Sequence, residues 1–162
     1  LLNLLTTDFP SIEVDSPSDP IEVFYMTDEQ MEMARKKELP QIVGFHVDSV
    51  DLERDAARIH DYWVHSSSLE GTTARLRYLP ASIVRDSSTG EAVSWMMSSP
   101  FGQCSNLFTI PEYRGKGLAG LAEIHLAKQF ISQGLRPFKY IDEDNFVAIA
   151  ASRKHGIWTR WE

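Results

Sequence analysis

One cysteine, Cys104, stands in a chain of 162 residues, so intrachain disulfides, four-cysteine zinc sites and Cys-x-x-Cys redox pairs are excluded together. That usage is compatible with a reducing compartment and sets the expectation of an intracellular protein, cytoplasmic or mitochondrial. Basic charge is scarce as well. Sixteen Lys and Arg against 23 Asp and Glu leave a formal charge of −7, which speaks against a nucleic-acid partner or an anionic membrane partner, because both need a basic surface. An anionic ligand would have to be held by a local site. No apolar run approaches the ~20 residues of a spanning helix, and the opening Leu1-Leu2-Asn3-Leu4-Leu5 lacks the length and basic flank of a targeting peptide. From Leu1 to Ala34 there is no Lys or Arg at all, and Pro10, Pro17 and Pro20 are scattered among Ser and Asp. This composition predicts an acidic linker, or the remnant of a larger N-terminal domain, over residues 1–38, with the compact domain over 39–162.

What is present reads as one globular domain. An apolar fraction of 43%, a charged fraction of 24%, nine Gly and eight Pro exclude collagen, coiled coil and wholesale disorder. Leu52, Ala56, Ile59 and Trp63 recur at helical spacing behind the capping residues Ser49 and Asp51. A short helix is predicted over 73–78, ended by Pro80. Strands are expected over 81–86 and 91–98 around the turn Ser87-Ser88-Thr89-Gly90, and again over 103–110. A helix over 118–133 stops at Gly134, a strand follows over 137–141, and a last helix over 145–154 leads to a strand over 157–161. Antiparallel strands followed by a strand-helix-strand unit predict an α/β sandwich around one mixed sheet.

Chemistry concentrates at Thr109-Ile110-Pro111-Glu112-Tyr113-Arg114-Gly115-Lys116-Gly117-Leu118-Ala119. A strand feeding a helix through glycines leaves unpaired backbone N–H groups converging where the helix dipole favours negative charge. Arg114 and Lys116 add local positive charge, and Gly115 and Gly117 permit close backbone approach. The run is neither a Gly-x-x-x-x-Gly-Lys-Ser/Thr loop nor a Gly-x-Gly-x-x-Gly turn.

These residues carry a resemblance. Arg114-x-x-Gly117-x-Ala119 after an apolar strand resembles the acyl-CoA pyrophosphate loop of the GNAT N-acyltransferase superfamily. Within it, Gly44 to Trp161 is similar to the C-terminal domain of the glycine N-acyltransferase family, through Pro111-Glu112-Tyr113-Arg114, Ala92-Val93-Ser94-Trp95, the helix ending at Trp63, and Trp158-Thr159-Arg160-Trp161. Val23-Phe24-Tyr25-Met26-Thr27 with Glu29-Gln30 looks like the tail of that family's N-terminal domain. The resemblance implies the GNAT fold, a mixed and mostly antiparallel sheet flanked by helices, with acyl-CoA as co-substrate and no metal. It implies that Arg114, Gly115, Lys116, Gly117, Leu118 and Ala119 wrap the CoA diphosphate. Phe108, Thr109 and Ile110 would meet the pantetheine amides, and Asn145 stands where the superfamily keeps an Asn on the cofactor arm, a position that also suits a helix cap.

Catalysis in the family needs a base for the acceptor amine, a Glu at the start of the fourth strand. Gln103 occupies that place, and an amide cannot take the proton. Ser152 stands where many relatives place a Tyr that protonates the leaving thiolate. Three functions remain open: acyl transfer to a small-molecule amine, glycine or another amino acid; acetyl transfer to a peptide or protein; or acyl-CoA binding with the base lost. Elsewhere, Cys104 reads as a small buried hydrophobe and Trp95 as core. His65 with Ser66, Ser67 and Ser68 reads as a polar helix end, and His60 and His125 lack partners at metal-ligand spacing.

Overall fold

The computed structural model describes residues 20–66, 68–154 and 156–162. Along them run β1 (Ile21–Tyr25), α1 (Asp28–Lys36), β2 (Phe45–Asp48), α2 (Leu52–Asp61), α3 (Leu69–Tyr78), β3 (Ala81–Asp86), β4 (Ala92–Ser98) and β5 (Cys104–Thr109). A 3-10 turn (Pro111–Tyr113) then leads to α4 (Leu118–Ser132), β6 (Phe138–Asp142), α5 (Phe146–Lys154) and β7 (Thr159–Arg160). Local chemistry sets the helix starts: Asp51 accepts from the Glu53 and Arg54 amides to cap α2, and Ser68 accepts from Gly71 to cap α3. Thr27 and Gln30 form a reciprocal capping box on α1.

The strands form two hydrogen-bonded sheets, one in the order β2-β3-β4-β5 and one in the order β6-β1-β7, with antiparallel neighbours throughout. The single mixed sheet expected from the pattern is therefore divided between β5 and β6. These two strands come into contact, yet no ladder joins them. The physical cause lies in β5. Its pairing with β4 slips by one residue between Trp95 and Met97, and Asn106 takes a left-handed φ of 49°. An extra residue in one strand bends it and ends regular pairing.

Alternation along the larger sheet sorts its side chains to two faces. Val84, Val93, Met96 and Cys104 pack with α4, while Ile83, Trp95, Met97 and Ile110 pack with Ala56 and Ile59 of α2 and Leu76 of α3. Helix α4 is apolar on most sides, with Leu118, Leu121, Ala122, Ile124, Leu126, Ala127, Phe130 and Ile131 all buried. One ion pair crosses the second layer: Arg85 on β3 grips Asp55 of α2 with both terminal nitrogens, at 2.9 and 2.8 Å, and bonds Asp48 through Nε at 2.7 Å. That contact holds the Asp48 carboxyl below the usual carboxylate range.

Of the two readings of residues 1–38, a linker or the remnant of a larger N-terminal domain, the linker does not fit residues 21–36, which form a strand and a helix. β1 is the middle strand of its sheet, between β6 and β7, and Phe24 and Met26 are fully buried in the main core. The acidic character of the segment concealed this, because Glu22 is itself buried and bonds Arg153 at 2.9 Å and Arg160 at 3.2 Å. Residues 1–19 lie outside the described residues. Deleting residues 1–38 is expected to unfold the domain, not trim it. Burial of Phe24 and Met26 is worth about 1.5–3 kcal/mol each, and β6 and β7 would lose their shared partner. A cooperative thermal melt retained by the truncated chain, followed by circular dichroism, would contradict this.

Candidate functional site

The gap between β5 and β6 opens onto the start of α4. Gly117 is the N-cap of that helix at φ 84°, no side chain caps it, and its first turn carries no acidic residue. The N–H groups at this helix start are therefore left for an outside acceptor. Arg114 to Gly117 are exposed, and Leu118 is buried and anchors the helix beneath them. A Cβ on Gly115 would meet nothing within 4 Å, and one on Gly117 would meet only the tip of Ile42 at 3.7 Å. Space above the loop is open, so the glycines serve backbone conformation, both lying at positive φ.

The two basic side chains are already oriented. Arg114 Nε donates to the Thr109 carbonyl at 3.0 Å with its guanidinium 5.6 Å from the Phe108 ring centroid. Lys116 Nζ lies 5.0 Å from the Tyr113 ring and 5.4 Å from that of Phe45, within cation–π range. Neither Arg114 nor Lys116 has a carboxylate partner among the described residues. Phe108 joins an aromatic cluster with Trp95 and Tyr62 at centroid distances of 5.3 and 5.4 Å. Thr109 shares a 2.7 Å hydrogen bond with Ser94, and Ile110 is buried behind it.

Other sequence candidates fall at different places. Asn145 Oδ1 accepts from the Ala148 amide at 3.1 Å, so the capping role is realised at the start of α5. Ser152 is buried and donates to the Ala148 carbonyl of its own helix at 2.8 Å. Its hydroxyl proton is thus committed inside α5 and not presented to a thiolate. Gln103 sits half-buried one residue before β5, two positions from Ser105 and hence on the same side of the strand. The loop at Gly117, Asp142 at the end of β6 and Asn145 lie at the C-terminal ends of the strands, whereas Gln103 lies at their N-terminal ends. Six residues of β5 put about 20 Å between those ends. Asp142 is consequently at the wrong end to replace Gln103 as a base.

Cys104 is buried and its thiol is pushed up to about 12, mainly by desolvation; Trp95 is fully buried. His125 shares a 2.9 Å hydrogen bond with Ser82, and burial lowers its pKa. His60 bonds Ser66 at 2.8 Å; Ser67 lies outside the described residues. Among the described residues there is no cluster of three or more potential metal ligands, and no helix is long and apolar enough to cross a membrane. One residue that sequence reasoning passed over is Arg75 of α3, which reaches Ser105 on β5 at 3.1 Å. Its only signal in the sequence is a place in the helix expected over 73–78, and this does not distinguish it from a solvent-facing arginine.

Comparison with solved structures shows the fold to be that of the GNAT acyltransferases. A Drosophila melanogaster protein superposes with a TM-score of 0.76 at 22% identity, over 99% of this chain and 54% of its own. A GCN5-related N-acetyltransferase from Sphaerobacter thermophilus does so with a TM-score of 0.67 at 13% identity, over 99% of this chain and 52% of its own. The chain thus spans about half the length of each. AAC(6')-Iy, solved in complex with the bisubstrate analogue CoA-S-monomethyl-acetylneamine, superposes with a TM-score of 0.54 at 13% identity, over 69% of this chain and 89% of its own. Residues 83–160 match the family model of FR47-like proteins, a stretch that includes β4, β5, the glycine loop and α4. The family match covers just under half of the chain, and the solved structures share its fold. No curated protein sequence matches the chain.

Proposed function

We propose that the protein is an acyl-CoA-dependent N-acyltransferase whose acceptor is the amine of a small molecule, glycine or another amino acid. The observation that carries this reading is the uncapped start of α4 beside the gap between β5 and β6. It offers backbone amides and two free cations to a diphosphate, with a slot along β5 for the arm that follows. The CoA diphosphate would rest on Arg114 to Ala119, and the arm would run past Ile110, Thr109 and Phe108 toward Ser105 and Gln103. Asn145 can add its amide N–H to that arm while its carbonyl oxygen still caps α5. At the far end, the neutral amine attacks the thioester carbonyl carbon. The C–N bond forms, the C–S bond breaks, CoA leaves as the thiolate, and the proton shed by nitrogen passes to solvent because Gln103 cannot hold it; solvent in turn protonates the thiolate.

The test has two parts. Calorimetry should show CoA binding by the wild-type chain, weakened roughly tenfold or more in Gly117→Val, since a β-branched residue is strained at positive φ and shields the amides. Lys116→Ala should cost less, because the backbone makes most of the contacts. Unchanged binding in Gly117→Val would defeat the site assignment. Mass spectrometry of products from acetyl-, benzoyl- and longer acyl-CoA donors with mixed amino acids should then reveal an N-acylated amino acid. Product on peptides alone would select a peptide acetyltransferase. Gln103 favours one further reading, an acyl-CoA binding module, and CoA binding without any product would select it.

A further inference from the structure

Arg75 is out of keeping with the other inward-facing arginines. Arg85 saturates itself on Asp55 and Asp48, and Arg58 pairs with Glu91 at 3.0 Å. Arg75 is also half-buried, yet no carboxylate lies within ion-pair distance of it among the described residues, and its Nε is buried with no hydrogen-bond partner. Its guanidinium rests 4.6 Å over the Trp63 ring, and its one side-chain partner is the Ser105 hydroxyl at 3.1 Å. Desolvation lowers its pKa, with no opposing charge to offset it. A cation held in this way costs free energy until an anion reaches it.

Its neighbours are unsatisfied in the same sense. Asn106 Nδ2, at the bulge next to Ser105, and Trp95 Nε1, on the adjoining strand, are also buried without partners. All three are N–H donors, and the guanidinium is the one among them that carries a charge. Gln103 lies on the same side of β5 as Ser105, which puts the guanidinium beside the residue at the position of the base, and some five residues along the strand from the diphosphate loop.

We infer that Arg75 anchors the carboxylate of the amine substrate, making the acceptor an α-amino acid and not a simple amine. The inference rests on the acyltransferase reading above and adds the residue that selects its substrate. A guanidinium presents a planar pair of N–H donors matched to the two carboxylate oxygens. Ser105 holds that fork toward β5. With the carboxylate there, the α-amine is one carbon removed from it and faces the end of the slot where the thioester carbonyl arrives.

The experiment compares glycine with glycinamide, which keeps the amine and lacks the negative charge, in the wild-type chain, Arg75→Gln and Arg75→Lys. Thermal melts confirm that each variant folds, and the lysine variant keeps the charge and the apolar stem if the glutamine variant does not fold. Compared per neutral amine, because glycinamide is the weaker base, wild type should prefer glycine. Arg75→Gln should raise KM for glycine about tenfold or more, the loss of a charge-assisted contact, and leave KM for acyl-CoA and for glycinamide within about twofold. Arg75→Lys should fall between. Equal losses for both amines, or no preference for glycine in the wild type, would overturn the anchor. If CoA binds and no amine is acylated, the acyltransferase reading fails by itself. Arg75 is then judged by calorimetric titration of glycine into the CoA-saturated chain, where binding lost in Arg75→Gln supports the anchor, and binding that is absent in wild type or undiminished in the variant refutes it.

Discussion

Gln103→Glu should raise the acyl-transfer rate at neutral pH by up to about 10²–10⁴-fold, the usual range for a positioned general base. On the proposed mechanism the proton lost by the attacking nitrogen finds no base at position 103, since the Gln103 amide has no useful basicity, and Asp142 lies at the opposite end of β5 and β6. Only acceptor molecules that are already neutral can react. The wild-type rate should accordingly climb about tenfold per pH unit below the acceptor's own amine pKa and level off above it, while CoA affinity stays nearly flat. A glutamate at 103, half-buried on the side of the strand that carries Ser105, would receive the proton locally. The limb of the profile would then move to lower pH. A wild-type pH-rate profile with an inflection near neutrality, unaltered by Gln103→Glu, would show that another protein group is the base.

Arg85→Met is expected to lower stability by about 3–5 kcal/mol, the range for removing one partner of a buried ion pair. The side chains of Arg85 and Asp55 are 3% and 1% exposed, so the Asp55 carboxylate left behind would have no water to compensate it. Its Oδ2 would retain only the Asp51 amide, at 2.8 Å. Asp48 is half-exposed and would rehydrate, so Asp48→Asn should cost far less. Double replacement of Arg85 and Asp55 by apolar residues should recover much of the loss, because the penalty comes from the unpaired charge and not from the absent pair. Asp48 adds a pH dependence. Its folded pKa lies below the unfolded value, so its contribution is present above the unfolded carboxyl pKa and is lost as pH falls through the lowered folded value. Denaturant titrations of the single and double variants at pH 7 and pH 3 measure both effects. Equal stability of Arg85→Met and the double variant would contradict the account.

Sequence by itself determined the elements whose signals are local. The strands around Ser87-Ser88-Thr89-Gly90, the long apolar helix stopped by Gly134 and the glycine loop that starts it stand where periodicity and turn chemistry put them, because each is fixed by neighbours within a few residues. The loop that carries the proposed diphosphate site was legible for that reason. Helix α3, expected over 73–78, begins earlier, at Leu69, because its Ser68 cap lies upstream. Residues 45–48 escaped notice as a strand, being too short for alternation to show.

Only the tertiary structure decided the rest, and each case turns on a partner far away in the chain. Ile21–Tyr25 is a strand because β6 and β7, more than a hundred residues on, bracket it, and because Arg153 and Arg160 neutralise Glu22. Ser152 faces its own helix and not a slot, since the core around Trp158 and Ile149 takes that side of α5. The division of the sheet at β5 depends on a bulge whose residue, Asn106, has no glycine to advertise it. Arg75 became distinguishable from the chain's other arginines only when α3 was laid against β5, because burial without a countercharge is a property of the fold and leaves no mark in the order of residues.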